Sequence, residues 1–303
     1  MFDVVIPTKN RPDDIERLLD SILIQSILPN KIIIVDQTTK KIKINKKYNE
    51  QLNICHLHNT EISGLCNAKN FGIDNCSSEI IFFFDDDIIL KQDFFKKIID
   101  YFHNNKDFYG ICGRQINSKS SMFKLLFFSM FHRGPFKDNR KKYNSGLAKH
   151  KIVETNILPG GITAYRASIF KKYKFDETLI KYCLGEDMDF SYRVSQNYKL
   201  AFAIDADAIH NHSKIDRYDI TEEYACKVAG YEYFFRKNLK KNLKNKFYYK
   251  LVKIGIFFDA TWNALTKFKF DSIKGIIKGK KYVKENFKNV PFIDYKKYTE
   301  EKK

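Results

Sequence analysis

No window of the 303 residues reaches the roughly 18 uncharged apolar positions that a membrane-spanning helix needs. The nearest stretch, Phe247 to Leu265, is interrupted by Lys250, Lys253 and Asp259, so it is expected to lie on a membrane and not to cross one. The six cysteines, Cys55, Cys66, Cys76, Cys112, Cys183 and Cys226, lack the paired spacing of zinc sites, and a chain this long does not need a disulfide framework. They are expected to be reduced, small and mostly buried. Met1 to Pro7 has no basic region followed by a long apolar core, so no secretory leader is read there and a cytoplasmic protein is expected. There is no internal repeat, and no helix-turn-helix, zinc-finger or RNP-type signature, which argues against a nucleic-acid partner.

What the chain has in excess is positive charge, a net +18, and it is unevenly placed. Lys227 to Lys303 holds 21 Lys and Arg against 7 Asp and Glu, leaving only +4 for the first 226 residues. Within that tail, Tyr231 to Lys237 and Phe247 to Leu251 interleave aromatics with cations. Such a pattern fits an anionic surface with an apolar layer beneath it, the cytoplasmic leaflet of a membrane. A solvated lysine-rich helical face is the plainer alternative.

With 44% hydrophobic residues the chain can bury a substantial core. Its first ninety residues alternate strand and helix signals, the pattern of a βαβ sheet. Short buried strands are expected at Phe2 to Ile6, Lys31 to Val35, Ile54 to Leu57 and Ile80 to Phe84. Ile15, Leu18, Leu19, Ile22 and Leu23 recur at helical spacing, with Asp13 and Asp14 at the favourable end of the dipole. A helix is expected near Asp93 to Phe102, a strand broken by Gly160-Gly161 over Asn156 to Tyr165, a helix opening at Glu186 and a strand at Lys199 to Ile204. Asn117 to His150 has no clear periodicity and reads as a lid or a disordered loop. From Thr221 onward, helices dominate.

The most informative feature is Asp85-Asp86-Asp87 at the end of the apolar run Ile80 to Phe84. Two like charges ~4 Å apart at an effective dielectric near 20 repel by about 4 kcal/mol, so the triplet calls for positive charge. A hard divalent cation bound through oxygen, itself holding phosphates, supplies it. A solvated acidic turn is the alternative. Ligands of open α/β sheets gather outside the carboxyl ends of the strands, which is where this triplet falls.

Five clusters in order, Val5-Ile6-Pro7-Thr8-Lys9-Asn10-Arg11, Val35-Asp36, Gly64 to Asn70, Asp85 to Asp87 and Gly185-Glu186-Asp187, resemble the family 2 glycosyltransferases over residues 1 to about 215. The resemblance implies an α/β, Rossmann-like GT-A fold with a mixed sheet flanked by helices; residues 216 to 303, beyond it, are read from their own composition as a basic, aromatic-rich helical C-terminal region. It implies inversion at the sugar carbon, a divalent metal (Mn²⁺ or Mg²⁺) and a nucleotide-sugar donor, taken as UDP-linked. By position, Asp36 with Pro7 and Thr8 would meet the nucleotide base; outside the family context Asp36 reads equally as a turn or N-cap residue. Asp85 would touch the ribose, Asp87 the metal, and Asp86 lies between them. Residues two apart share a face if the strand persists that far. Lys69 stands where many relatives have arginine and would meet the diphosphate as a point charge. His210, with His212 near it, would complete the metal set. Asp187, with Glu186 as companion, would be the catalytic base, although both acids also suit the first turn of a helix. Asp189 and Arg193, four apart, are expected to pair. A glycan or lipid-linked acceptor at the inner face of the membrane would reconcile the tail with this chemistry. A non-catalytic nucleotide-sugar-binding protein on the same fold is one alternative; a nucleic-acid-binding protein, which the basic tail permits and the acidic triplet disfavours, is the second.

Overall fold

The computed structural model describes residues 1–178, 185–213, 215 and 218–287. In chain order the elements are β1 (Phe2–Thr8), α1 (Pro12–Leu23), β2 (Lys31–Asp36), α2 (Lys46–Asn49), β3 (Ile54–His58), α3 (Leu65–Ile73), β4 (Ile80–Phe84), β5 (Ile88–Leu90), α4 (Phe94–Asn104) and β6 (Phe108–Gln115). There follow α5 (Met122–Phe131), α6 (Arg140–Asn144), β7 (Ile152–Thr155), β8 (Ile162–Arg166), α7 (Glu186–Ser195), β9 (Lys199–His210), α8 (Ile220–Asn238), α9 (Leu243–Lys267) and α10 (Asp271–Asn286). The chain divides into two compact units. The first comprises Met1–Ser120, Asn139–Ile180 and Phe190–Asp216; the second comprises Ser121–Asp138, Lys181–Asp189 and Arg217–Lys303.

The first unit is built on a mixed sheet in the order β3-β2-β1-β4-β8-β6-β9-β5, with β7 added to β9. Strands β1 to β4 are mutually parallel, and β8 turns the sheet antiparallel against β4. The chain leaves β1 toward β2 on one side and returns to β4 on the other, so the strand order reverses at β1. That switch point puts the ends of β1, β2 and β4 at one crevice, where α/β sheets collect ligands. β4 is apolar throughout because both its faces are covered. Phe82 and Phe84 pack with Phe2, Phe94 and Phe95 on one side, while Phe83 meets Tyr165, Phe170 and Phe175 on the other. Phe190 of α7 stacks on Phe175 at 4.1 Å and so joins the second cluster.

Several expectations change. The stretch Asn117 to His150 is ordered: it contains α5, the 3-10 turn Gly134–Phe136 and α6. α5 escapes a periodicity reading because apolar side chains cover it almost all round. Of the strand expected over Asn156 to Tyr165 only the end forms, as β8; Asn156 to Gly161, with both glycines, is the loop that follows β7. β9 runs on through Asp205, Ala206 and Asp207 to His210, carried by its ladders with β5 and β6. The five described cysteines are reduced, three of them buried; Cys183 lies outside the described residues.

In the second unit, α10 lies against α8 through Gly275 and Gly279. A Cβ on Gly275 would overlap the Thr221 carbonyl, and one on Gly279 would come within 2.8 Å of the Ala225 carbonyl. Gly255 of α9 gives way in the same manner to Phe131 of α5. No helix among the described residues is long and apolar enough to cross a membrane.

Asp3 ties the first unit's entrance strands together. Its carboxylate, fully buried, accepts from the Ser77 and Ser78 backbone N–H groups (2.8 and 2.9 Å), the Ser78 hydroxyl (2.8 Å) and the Asn30 amide (3.2 Å). Burial pushes this carboxyl up, but the donors outweigh it and hold it below the ordinary range. Asp3→Ala is expected to cost about 2 kcal/mol in urea unfolding at pH 7, since buried N–H groups lose a charged acceptor. The stabilisation is present above the unfolded carboxylate pKa of ~3.9 and fades as pH falls through the lower folded value, so the difference between variant and wild type should shrink there.

Candidate active site

At the end of β4 the strand stops at Phe84, and Asp86-Asp87 form a turn leading into β5. The turn closes by a bond from the Ile88 N–H to the Asp85 carbonyl (3.2 Å). Asp85 and Asp87 are therefore brought together by a turn, and not by strand alternation. The Asp87 backbone carbonyl accepts from Asn211 N–H at 2.8 Å, and its Oδ2 from Ser213 N–H at 2.9 Å. Because β5 pairs antiparallel with β9, His210 falls beside Ile88, and its Nε2 lies 3.0 Å from Asp87 Oδ1. Ligand atoms of Asp85, Asp87 and His210 all lie within 4.8 Å of one another. Two carboxylates and an imidazole make a donor set that suits a divalent cation of the manganese or magnesium kind.

The three aspartates do different work. Asp86 points inward, is 4% exposed, and accepts from the Thr8 hydroxyl (2.8 Å) and Arg11 Nη1 (2.9 Å). Burial pushes its carboxyl up to about 6 despite Arg11 beside it. The same guanidinium donates through Nε and Nη2 to the Ile215 carbonyl (3.2 and 2.6 Å), fastening the segment after β9 to the acidic turn. Asp86, placed among the donor-binding residues by the sequence, is thus engaged with its own protein, and so is the Thr8 hydroxyl. Arg11, absent from the expected site, is the cation paired with the middle carboxylate of the triplet; its signal was the need for positive charge that the triplet itself raised.

Gly161 shows why that loop is glycine. A Cβ there would overlap the Asp85 carboxylate, while the Gly161 carbonyl accepts from the Asp85 N–H at 3.1 Å.

Glycosyl transferase family 2 matches residues 3–174, more than half of the chain. The chain belongs to that family. Over 231 residues this glycosyltransferase is 25% identical to the O-antigen chain rhamnosyltransferase RfbN of Salmonella typhimurium, covering 71% of this chain and 67% of the relative. Among solved structures it is similar to S. aureus TarS 1-349 in complex with UDP-GlcNAc, with TM-score 0.59, 18% identity and coverage of 92% and 79%. It is also similar to the mannosyltransferase PcManGT from Pyrobaculum calidifontis in complex with GDP-Man and Mn²⁺, with TM-score 0.54, 14% identity and coverage of 98% and 82%. At these identities the structures establish the fold, GT-A, a mixed α/β sheet flanked by helices with further helices at the C-terminus.

The other expected site residues of the glycosyltransferase fall as follows. Pro7 and Thr8 close β1 beside Val35 and Asp36 of β2. Asp36 is fully buried and accepts from Thr38 N–H (2.9 Å), Ile42 N–H (2.9 Å) and His56 Nε2 (3.1 Å). Burial alone would raise its carboxyl; these donors bring it below the ordinary range, so it is ionised and orders the loop after β2. Lys69, on α3, is 1% exposed, donates to the Gly160 carbonyl at 3.3 Å and stands 5.1 Å from the Phe175 ring centre. It is not a solvated helix lysine. Glu186 and Asp187 stand in the first turn of α7 and fall in the second unit, whereas α7 from Phe190 onward falls in the first, and Asp187 Oδ1 accepts from the Met188 N–H at 2.7 Å. Asp189 takes Lys237 Nζ (2.9 Å) and the Asn238 amide (2.8 Å), and Arg193 donates to the Lys174 carbonyl, in place of the expected pairing of Asp189 with Arg193. Burial decides this: Asp189 is 1% exposed and needs a cation close by.

Gly161→Ala is expected to displace the Asp85 carboxylate and weaken Mn²⁺ binding at least tenfold while leaving the fold intact. Electron paramagnetic resonance of free Mn²⁺ and far-ultraviolet circular dichroism measure the two effects.

Proposed function

We propose that this glycosyltransferase transfers a sugar, with inversion, from a nucleotide-sugar donor to a glycan or lipid-linked acceptor in cell-surface polysaccharide biosynthesis. The observation that carries the reading is the convergence of Asp85, Asp87 and His210 at the carboxyl ends of the parallel strands. Asp87, Asp85 and His210 would hold Mn²⁺ or Mg²⁺. Bound there, the cation neutralises charge growing on the departing diphosphate. The UDP-GlcNAc and GDP-Man of the similar structures support a nucleotide-sugar donor, and we take it as UDP-linked. The name of the rhamnosyltransferase relative supports a polysaccharide acceptor.

The chain's own residues have separate tasks in this scheme. Asp36 and the loop it orders, with Pro7 and Thr8, frame the base. Asp85 meets the ribose, and Lys69 adds a desolvated positive charge for the phosphates. Asp187 takes the acceptor hydroxyl's proton as that oxygen attacks the sugar carbon, with Glu186 beside it.

We place the enzyme at the inner face of the cell membrane as a peripheral protein. In support, α5 exposes Met122, Phe123 and Leu126, and α9, packed on it through Gly255, exposes Phe257, Trp262 and Leu265. Lys124 lies among the apolar side chains of α5, and Lys250, Lys253 and Lys267 flank those of α9, the composition of an interfacial surface.

Thermal unfolding with UDP, GDP, dTDP and CMP, each with and without Mn²⁺, should show a metal-dependent rise for one nucleotide. A ligand at ~100 times its dissociation constant adds about 2.7 kcal/mol. In Asp87→Ala the metal dependence should vanish; its persistence refutes the metal assignment. Asp187→Asn should lower transfer by roughly 10²–10⁴-fold with nucleotide binding unchanged. Full transfer in that variant would remove Asp187 as the base, and binding without transfer in wild type would leave a non-catalytic binding protein. The double variant Trp262→Ser, Leu265→Ser should sediment less with phosphatidylserine vesicles; equal sedimentation counts against membrane contact.

A further inference from the structure

The second unit contains a cavity of about 570 Å³ between α8, α9 and α10, within the ~300–1,000 Å³ range of small-molecule sites. Val228, Ile254, Ile276 and Val283 supply apolar wall, and Lys250, Lys253 and Lys280 also line it. We propose that this cavity binds the apolar chain of a membrane lipid whose phosphate headgroup sits on those three lysines.

The argument for an anion comes from how charge is distributed over these helices. Every carboxylate on them already has a cation: Glu222 with Lys278, Glu223 and Asp259 with Lys227, Glu232 with Arg236, Asp271 with Lys274 and Glu285 with Lys281. Glu232, which reaches the cavity, also accepts from the Tyr249 hydroxyl. Lys250, Lys253 and Lys280 therefore face the cavity without an acidic partner among the described residues, and Lys253 Nζ rests 4.7 Å from the Tyr249 ring centre. Three lysines lining an apolar hollow complement a molecule that is anionic at one end and hydrocarbon at the other. A free phosphate would leave the apolar wall unfilled, and a neutral lipid would leave the lysines uncompensated. The site deepens the membrane-contact reading from a surface to a discrete pocket, and rests on it only for the source of the lipid.

The test is calorimetric titration of the full chain with oleoyl lysophosphatidate below its micelle concentration, beside monooleoylglycerol and glycerol 3-phosphate. Saturable one-to-one binding of the lysophosphatidate is expected, with both comparison compounds at least tenfold weaker. Lys250→Gln with Lys280→Gln should weaken binding roughly 30-fold, the effect of two surface-proximal charges. Ile254→Trp, which fills the cavity, should abolish it; Val283→Phe repeats the test from α10, and thermal melts verify both folds. Wild-type binding in the two filled variants overturns the proposal. So does equal binding of glycerol 3-phosphate, which would mean an anion site without a chain site, or equal binding of monooleoylglycerol. Because the titration contains no bilayer, its outcome is separate from vesicle sedimentation.

Discussion

Mutual repulsion among three consecutive carboxylates is the constraint around which the first unit is arranged. The fold meets it by dividing the triplet: Asp86 turns inward to Arg11 and Thr8, while Asp85 and Asp87 stay together beside His210. Each supporting feature follows. The strand must end at Phe84 so that a turn can aim the side chains apart. Gly161 must lack a Cβ so that the Asp85 carboxylate has room. β9 must run on to His210 so that Asn211 and Ser213 can secure Asp87 by their N–H groups.

Local chemistry made part of this legible from sequence. Alternating strand and helix signals, the apolar run of β4 and the carboxylates after it are neighbours along the chain, and their physics is short-ranged. Asp86 was harder, because its destination depends on Arg11, 75 residues away. The burial of Lys69 was equally out of reach, because Gly160 and Phe175, which lie against it, are about 90 and 105 residues away. The partner of Asp189 was misread for a similar reason: helical spacing offers Arg193, but burial selects Lys237 from α8. α5 has no polar face to give a period, so its sequence looked structureless although it forms a regular helix.

The second unit follows another logic. Its helices approach closely through glycines at 255, 275 and 279, which leaves long side chains to define the surface and the hollow between them. Excess charge there is not all alike: some cations hold the acids of α8, α9 and α10 in place, and three of the remaining lysines line one cavity. Charge in this region is better described by which residues lack partners than by its sum.

The position of β5 has a consequence for how the chain is made. This three-residue strand pairs with β9 alone, and β9 lies roughly 120 residues further along. At about 5–20 residues per second on the ribosome, the acidic turn waits on the order of ten seconds before the strand that fixes it exists. Until β8 is made, roughly 80 residues after β4, β4 also presents an uncovered apolar edge, next to Asp85 and Asp87. Those charges then act as gatekeepers against strand-to-strand association, so the residues proposed to hold a cation first keep the unfinished chain apart from its neighbours.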